Sequence, residues 1–188
     1  MMGANARATP DGGFVLGGHS MSPPSGSKTS PVYGDLDFWL VRVDANGNQL
    51  WDRSYGGSAL EALTALQVTA DNGFILAGNT KSPISGNKTT PTYGFYDLWV
   101  VRLNDNGDKL WEQTAGGNDY DYCMAVQQSF DGGFLVGAQT YSLGGGTKTA
   151  TNILRAPGVP SNDYWLVQLD SAGRQLWDRT ISGSDEDE

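Results

Sequence analysis

Apolar residues fall in short runs along this chain, and glycine, asparagine and aspartate separate the runs. In the central stretch the runs cover residues 63–68, 74–78, 98–103 and 109–114. They are rich in Val, Ile, Leu, Thr and Trp, as β-strands are. Glycine-containing turns join the first pair and the second pair, whereas the polar stretch 79–96 joins the middle pair. The pattern predicts four antiparallel strands, two tight hairpins and one long loop.

The same pattern occurs three times. The block Asp-Gly-Gly-Phe begins at residue 11, and its counterparts begin 60 and 120 residues later. The block Asp-Phe-Trp-Leu-Val-Arg begins at residue 37, and its counterparts begin 60 and 126 residues later, so the third copy holds six extra residues. A period of this size indicates one supersecondary unit that stacks on copies of itself.

Four antiparallel strands, repeated without a helical segment, predict an all-β fold of the β-propeller type with about three four-stranded blades. We expect one repeat domain with blades at about 1–57, 58–117 and 118–183 and an acidic tail at 184–188. The first copy is the weakest. Residues 3–8 stand where the central copy has a run of β-formers, so we expect no convincing first strand there.

Two tryptophans recur at fixed places in each copy. The third predicted strands contain Trp39, Trp99 and Trp165, and the fourth contain Trp51, Trp111 and Trp177. A large ring at the same place in every unit is typical of packing between sheets, with the indole N–H bonded to a backbone acceptor. We favour this role over sugar stacking.

These residues resemble a known group of proteins. The series Asp-Ala-Asn-Gly-Asn-Gln-Leu-Trp at 44–51 resembles the tryptophan-docking turn of quinoprotein propellers, one residue shorter. The whole unit is similar to the β-propeller repeats of about sixty residues in secreted and surface proteins of Bacteroidetes-type bacteria. That resemblance implies a propeller scaffold, bacterial and extracellular or at the cell surface. The quinone-binding residues have no counterparts here, so the resemblance implies no such cofactor.

Three blades are too few to close a propeller ring. Open blade faces would leave large apolar surfaces in water, which a soluble monomer rarely tolerates. Either the chain associates with itself, most simply as a homodimer with six blades, or it is part of a longer propeller. We favour self-association.

The long loops should gather at one end of the sheets, because the hairpin turns occupy the other end. Binding residues usually lie on such loops. Gly-x-Lys-Thr recurs in all three loops, and Tyr-Gly follows it in the first two. The candidate ligand-binding residues are Lys28, Tyr33, Lys88, Tyr93, Tyr96, Lys148 and Arg155. They could bind a glycan or an anionic group; alternatively, Gly-x-Lys-Thr only shapes a turn and the lysine is solvated.

The net charge of −9 disfavours binding to nucleic acid or to anionic membranes. No stretch reaches the roughly 18 apolar residues that a membrane helix needs, and the N-terminal residues show no apolar signal core. The single Cys123 is expected in the core rather than as a reactive thiol.

We predict no catalytic residues, because His19 is the only histidine and nothing marks a partner for it. We also predict no metal site and no cofactor. Calcium is a minor alternative at Asp44 with Asn46, at Asp105 with Asn106, or at Asp119 with Asp121, but turn chemistry explains Asp and Asn at hairpins.

These observations together predict a non-catalytic binding or structural module, completed by self-association. A carbohydrate-binding lectin with equivalent loop sites in each repeat is the alternative. The expected partners are a second copy of the chain and either a glycan or another protein.

Overall fold

The computed structural model describes residues 5–152, 154–156, 159–160 and 162–183, and these contain strands and no helix. Twelve of the strands form three four-stranded antiparallel sheets. Sheet 1 contains β1 (Asn5–Ala8), β2 (Phe14–Ser20), β3 (Asp37–Val43) and β4 (Gln49–Tyr55). Sheet 2 contains β5 (Glu61–Val68), β6 (Phe74–Thr80), β7 (Asp97–Leu103) and β8 (Lys109–Ala115). Sheet 3 contains β9 (Asp121–Gln128), β10 (Phe134–Thr140), β13 (Asp163–Leu169) and β14 (Gln175–Ile181).

Each sheet is an up-and-down meander, because its strands pair in the order in which they occur along the chain. This confirms the all-β prediction and is consistent with three blades. The six extra residues of the third copy belong to a loop that contains a short hairpin of β11 (Leu154–Ala156) and β12 (Val159–Pro160). None of the described residues belongs to a helix that could span a membrane.

The tight hairpins follow the predicted turn chemistry. In the first turn of each sheet, Gly12, Asn72 and Gly132 have φ values of 85°, 67° and 85°. Positive φ is costly for most side chains, and glycine and asparagine adopt it most readily. The turn residues therefore determine where each first strand ends and the second begins.

The prediction that the first copy lacks a first strand is wrong. Strand β1 forms, although with four residues it is half the length of β5 and β9. Each of its residues pairs with β2, from Asn5 opposite Gly17 to Ala8 opposite Phe14. Pairing with an existing strand outweighs the low β-propensity of the segment Asn-Ala-Arg-Ala, since β-propensity depends strongly on tertiary context.

The hydrophobic core lies between the sheets, in two separate clusters. One cluster joins sheets 1 and 2 and is centred on Phe38, Leu66, Phe74 and Trp99. The other joins sheets 2 and 3 and is centred on Leu98, Phe134 and Trp165, with Cys123 buried in it as predicted. Strand β7 is buried along its whole length because it lies in the middle sheet and has a neighbour on both faces.

Two of the three fourth-strand tryptophans pack across these interfaces, as predicted. The third, Trp177, does not: no sheet follows sheet 3 among the described residues, and the ring is 40 % exposed. Trp51 meets Phe74 of sheet 2 edge-on, at 6.0 Å between ring centroids. Trp111 meets Phe134 of sheet 3 in the same way at 5.6 Å, and its Nε1 donates a 3.0 Å hydrogen bond to the Ser171 carbonyl. For the third-strand rings the predicted backbone acceptor is wrong. The indole of Trp39 donates to the carboxylate of Asp52 on the paired strand β4, at 3.0 Å.

Candidate functional site

The long loops gather at one end of the sheets, here called the loop end, as the strand directions predicted. Leu36 pairs with Leu60 in a parallel bridge, and Tyr96 pairs with Tyr120 in the same way. These bridges join the long loop of each sheet to the connection that leads into the next sheet. The loops are therefore held by backbone bonds at every junction.

The three lysines of the Gly-x-Lys-Thr motifs are buried, not presented to solvent. Lys28 is 6 % exposed, Lys88 1 % and Lys148 3 %. The Lys28 ammonium donates to the Ser30 carbonyl at 2.6 Å and to the Pro31 carbonyl at 3.1 Å. Desolvation lowers the pKa of all three lysines.

Each lysine therefore ties the turn of its own loop together. The role of the lysines as ligand-binding groups stays a prediction. The alternative interpretation is right that the motif shapes a turn and wrong that the lysine is solvated. Sequence reasoning missed this because a loop lysine is exposed in most proteins. A lysine that closes a loop over its own carbonyls has no distinctive sequence signal.

The predicted tyrosines have different roles. Tyr33 and Tyr93 lie against Gly86 and Gly146 of the following loop, so they contribute to the contact between neighbouring loops. Tyr93 remains 39 % exposed. Arg155 belongs to β11 by its backbone, and its side chain lies outside the described residues.

Tyr96 belongs to an aromatic cluster at the loop end, between sheets 2 and 3. Its members are Phe95, Tyr96, Tyr120 and Tyr122, with Lys81 at the edge. Phe95 and Tyr120 stack at 5.0 Å with 25° between their planes, and Tyr120 and Tyr122 stack at 5.9 Å with 15°. The Lys81 ammonium lies 4.3 Å from the centre of the Tyr96 ring, within the range of a cation–π interaction.

The fold does not require these aromatic rings. At the junction of sheets 1 and 2 the equivalent positions hold Asp35, Leu36, Leu60 and Ala62. The same parallel bridge forms at both junctions. At both junctions a backbone hydrogen bond also joins the long loop of the next sheet to this bridge. Lys81 N donates to the Leu60 carbonyl at one junction, and Tyr141 N donates to the Tyr120 carbonyl at the other. The aromatic side chains are thus an addition to a scaffold that closes without them.

Much of the aromatic surface remains in water. Phe95 is 62 % exposed, and Tyr120 is 36 % exposed. Polar groups surround the rings. Lys81 supplies a cation, Asp119 supplies a carboxylate whose Oδ1 accepts the Tyr120 amide at 2.9 Å, and the tyrosines supply hydroxyls. Desolvation raises the pKa of Tyr122, and the neighbouring Tyr96 raises it further. The Tyr122 hydroxyl therefore stays protonated at neutral pH.

Sequence reasoning selected only Tyr96 from this cluster and missed Phe95, Tyr120, Tyr122 and Lys81. A signal was available. Comparison of the first two copies, position by position, shows aromatic residues in the second copy where the first has none. Motifs shared by the copies do not reveal this difference, because it lies at positions where the copies differ.

Comparison with known proteins defines no family for this chain. No protein-family model matches it. The regulatory protein FlaEY of Caulobacter vibrioides is 26% identical over 117 residues, which are 60% of this chain and 12% of FlaEY. The chain therefore spans about an eighth of the length of that relative. A crystal structure of a protein of unknown function from Bacteroides caccae matches 96% of this chain and 82% of its own, with 12% identity and a TM-score of 0.29.

Buried carboxylates occupy each junction beneath the loops. Asp37 and Glu61 lie at the first junction, and Asp97 and Asp121 lie at the second, all at most 1 % exposed. Asp121 accepts hydrogen bonds from Gly117 N and from the hydroxyls of Thr140 and Ser142. Desolvation, opposed by the amides of Tyr93 and Gly94, raises the pKa of Asp97 to about 6.

Local hydrogen bonds account for most of the residues considered for calcium. Asp44 Oδ1 accepts the amides of Asn46 and Asn48, each at 2.8 Å, so it shapes the hairpin turn. Asp119 and Asp121 accept backbone amides as described above. Within the described part of the chain, no three His, Cys, Asp or Glu side chains form a group that could hold a metal ion.

Proposed function

We propose that this chain is a non-catalytic, propeller-type binding module that holds its ligand at the loop end. The observation that carries the proposal is the aromatic cluster of Phe95, Tyr96, Tyr120 and Tyr122. At the equivalent junction of sheets 1 and 2, the four corresponding positions hold no aromatic residue and the same backbone bridge still forms. Exposed rings that packing does not require are typical of recognition surfaces.

The ligand class that we propose for the cluster is a neutral carbohydrate. The C–H face of a pyranose ring packs against the flat face of an aromatic ring, and sugar hydroxyls pair with polar groups at its rim. The cluster offers both, with Phe95 62 % exposed and with Lys81 and Asp119 at its edge. A net charge of −9 makes strongly acidic glycans poor candidates. The proposal is thus one site per chain rather than an equivalent site in every repeat.

A glycan array probed with the purified chain tests the ligand class, and the double variant Phe95→Ser/Tyr120→Ser tests the site. We expect neutral oligosaccharides to bind the wild type and to lose at least tenfold in affinity with the double variant. Phe130→Ser is the matched control, because Phe130 is a fully exposed phenylalanine in the β9–β10 turn, at the opposite end of the sheets. Unchanged binding by the double variant would place the site elsewhere, and no binding to any glycan would reject the carbohydrate class.

Self-association is the second part of the proposal. Sheets 1 and 3 each have one broad face without a neighbouring sheet, and apolar side chains lie exposed on both, among them Phe14, Leu16 and Ile181. We propose that association covers these faces, most simply in a dimer that places six sheets around one axis. Sedimentation equilibrium across a hundredfold range of concentration should show a mass above that of one chain. A monomer throughout that range would reject this part.

The resemblance of the repeats to those of secreted and surface proteins supports an extracellular or surface-exposed location. Fractionation of the source cells, with immunodetection of the chain, tests this location. Recovery in the cytoplasmic fraction alone would reject it.

A further inference from the structure

The two contacts between sheets inside the chain follow one pattern. The fourth-strand tryptophan of each sheet covers the glycine in the second hairpin turn of the next sheet. A Cβ atom on Gly107 would lie 3.1 Å from the Trp51 ring, and one on Gly173 would lie 2.6 Å from the Trp111 ring. Because glycine has no side chain, the indole ring can lie directly against the backbone of the turn.

The phenylalanine that begins each second strand completes the contact. Phe74 packs against Trp51, and Phe134 packs against Trp111; both phenylalanines are 1 % exposed. The contact therefore has a tryptophan side, and a glycine side that carries the phenylalanine and the glycine.

The outer face of sheet 3 carries the tryptophan side of this contact, but no neighbouring sheet in the described part of the chain packs against it. We call it the trailing face and define it by Tyr164, Trp177 and Ile181. These side chains are 41 %, 40 % and 57 % exposed. In sheet 1, the residues equivalent to Tyr164 and Ile181 are Phe38 and Tyr55, which sheet 2 buries to 0 % and 4 % exposure.

The outer face of sheet 1 carries the glycine side of this contact. We call it the leading face and define it by Phe14, Leu16 and Gly47. Phe14 is 46 % exposed, whereas its equivalents Phe74 and Phe134 are almost fully buried. A Cβ atom on Gly47 would meet nothing within 4 Å, in contrast to Gly107 and Gly173.

Polar groups at the loop end repeat the same asymmetry. Gly57 lies directly against Ser82 of the next sheet, and Gly117 lies against Ser142 in the same way. Both serines are fully buried. Their equivalent in sheet 1, Ser22, is exposed, and the glycine equivalent to Gly57 and Gly117 is Gly183, after the last strand.

We propose that the trailing face of one copy docks on the leading face of a second copy, in the register of the internal contacts. Trp177 then rests on the partner's Gly47, its Nε1 donates to the partner's Ala45 carbonyl as Trp111 donates to Ser171, and Gly183 meets the partner's Ser22. This register rests on the self-association proposed above and specifies its geometry. A second copy fits because the contact continues interfaces that this same sequence already makes twice.

The contact joins two different faces, so each copy keeps one free face after a single docking event. Such a head-to-tail contact makes a closed ring when its rotation allows and an open chain when it does not. Two copies that dock reciprocally would cover all four outer faces.

Cysteine cross-linking tests the register. Samples of the Gly183→Cys variant and of the Ser22→Cys variant are oxidised separately and then as a mixture. We expect a disulfide-linked dimer in the mixture and none in either sample alone, because the contact brings unlike positions together. Cys123 should not interfere, because it is buried and desolvation raises its pKa to about 11.

Asn46→Cys in place of Ser22→Cys is the matched control, since Asn46 lies in the β3–β4 turn, at the other end of sheet 1. This pair should remain unlinked. A chain that associates by mass but links only like positions, or links Gly183→Cys equally to Asn46→Cys, would overturn the register and leave self-association intact. A monomeric chain would overturn both. Ala45→Arg gives a second measurement, because a bulky charge under the docked indole should abolish association while the chain remains folded by circular dichroism.

Discussion

At the scale of the single residue, one carboxylate on each fourth strand determines whether the indole on the third strand has a hydrogen-bond partner. Trp39 Nε1 donates to Asp52 at 3.0 Å, and Trp165 Nε1 donates to Asp178 at 2.9 Å. Burial by itself would raise the pKa of Asp52, but hydrogen bonds from Ser30, Thr29 and Trp39 outweigh it and hold the pKa well below its usual range. The carboxylate stays ionised and organises the loop above it.

Sheet 2 departs from this arrangement by one methylene group. Glu112 replaces the aspartate, and its longer side chain reaches Lys109 at 2.9 Å and bonds the amide and hydroxyl of Thr89. The Trp99 Nε1 is consequently buried without a hydrogen-bond partner among the described residues. A buried donor that lacks a partner loses its full hydration energy.

We therefore expect Glu112→Asp to stabilise the chain by about 1–2 kcal/mol, because the shorter carboxylate would accept the Trp99 indole N–H. Lys109 would lose its ion pair, but its ammonium keeps its hydrogen bond to the Asn87 carbonyl, and 22 % of its side chain is exposed to water. Urea unfolding of the variant and the wild type measures the difference. The reverse change, Asp52→Glu, is the control and should destabilise sheet 1. A stability decrease in Glu112→Asp would contradict the account.

Asp97 makes stability depend on pH. Its pKa is raised from 3.8 to about 6, chiefly by desolvation; nearby Asp121 raises it further and Lys88 opposes the rise. The folded chain therefore binds a proton here more tightly than the unfolded chain does. The stability that this tighter proton binding contributes is complete below about pH 4 and is lost as the pH rises to about 6.

Asp97→Asn removes that titration and keeps the shape of the side chain. Relative to the wild type, the variant should gain about 2 kcal/mol of unfolding free energy between pH 4 and pH 7. Urea unfolding at several pH values gives the difference curve, which cancels the titration of all other groups. Asp105→Asn, the same substitution at an exposed hairpin position, is the matched control. A flat curve for Asp97→Asn would show that the buried carboxyl titrates normally.

At the scale of the element, an arginine joins the two hairpins of a sheet. Arg42 Nη2 lies 2.6 Å from both carboxylate oxygens of Asp11, and Arg102 contacts Asp71 in the same manner. In both cases the arginine lies on the third strand and the aspartate in the first turn. Sheet 3 has Gln168 at this position, and its amide reaches Ser129 at 3.2 Å instead of Asp131.

Gln168→Arg should restore the missing ion pair and raise the stability of the chain by about 0.5–1 kcal/mol, since the aspartates of the existing pairs are largely exposed. For a chain of this size that corresponds to a rise of about 1–4 °C in melting temperature. Differential scanning fluorimetry measures the rise. The gain should disappear in the double variant Gln168→Arg/Asp131→Asn; if it persists there, the arginine acts through another contact.

The elements also show how far sequence reasoning reaches. The strands of sheet 2 begin and end within two residues of their predicted positions, because alternation and turn glycines are local signals. Strand β1 could not be predicted, since only its pairing with β2 makes its four residues a strand. The burial of Lys88 and the stacking of Phe95 on Tyr120 depend on contacts between distant segments, which no local pattern records.

At the scale of the whole molecule, the stability of the chain should depend on its own concentration. The three sheets have six broad faces. Four of these pack against each other in the two contacts within the chain, and the leading and trailing faces have no neighbouring sheet within the described ranges. Any partner that binds only the folded state stabilises that state by mass action. Net charge opposes association, because each copy carries −9, and salt screens that repulsion.

The melting temperature of the wild type should therefore rise with protein concentration, and more steeply at high salt than at low salt. Trp177→Ser should weaken association about 10- to 100-fold, as the loss of a central interface tryptophan does, and flatten that dependence. The melting temperature at high dilution should barely change, because the ring is 40 % exposed in the single chain.

Leu176→Ser is the matched control for this variant. Leu176 is 59 % exposed, and its equivalents Leu50 and Leu110 are 55 % and 57 % exposed although a sheet follows each of them. This position therefore stays in water whether or not a neighbour docks, and its variant should associate like the wild type. Equal loss of association in both variants would mean that general hydrophobicity, rather than the fit of Trp177 on the partner's Gly47, holds the copies together.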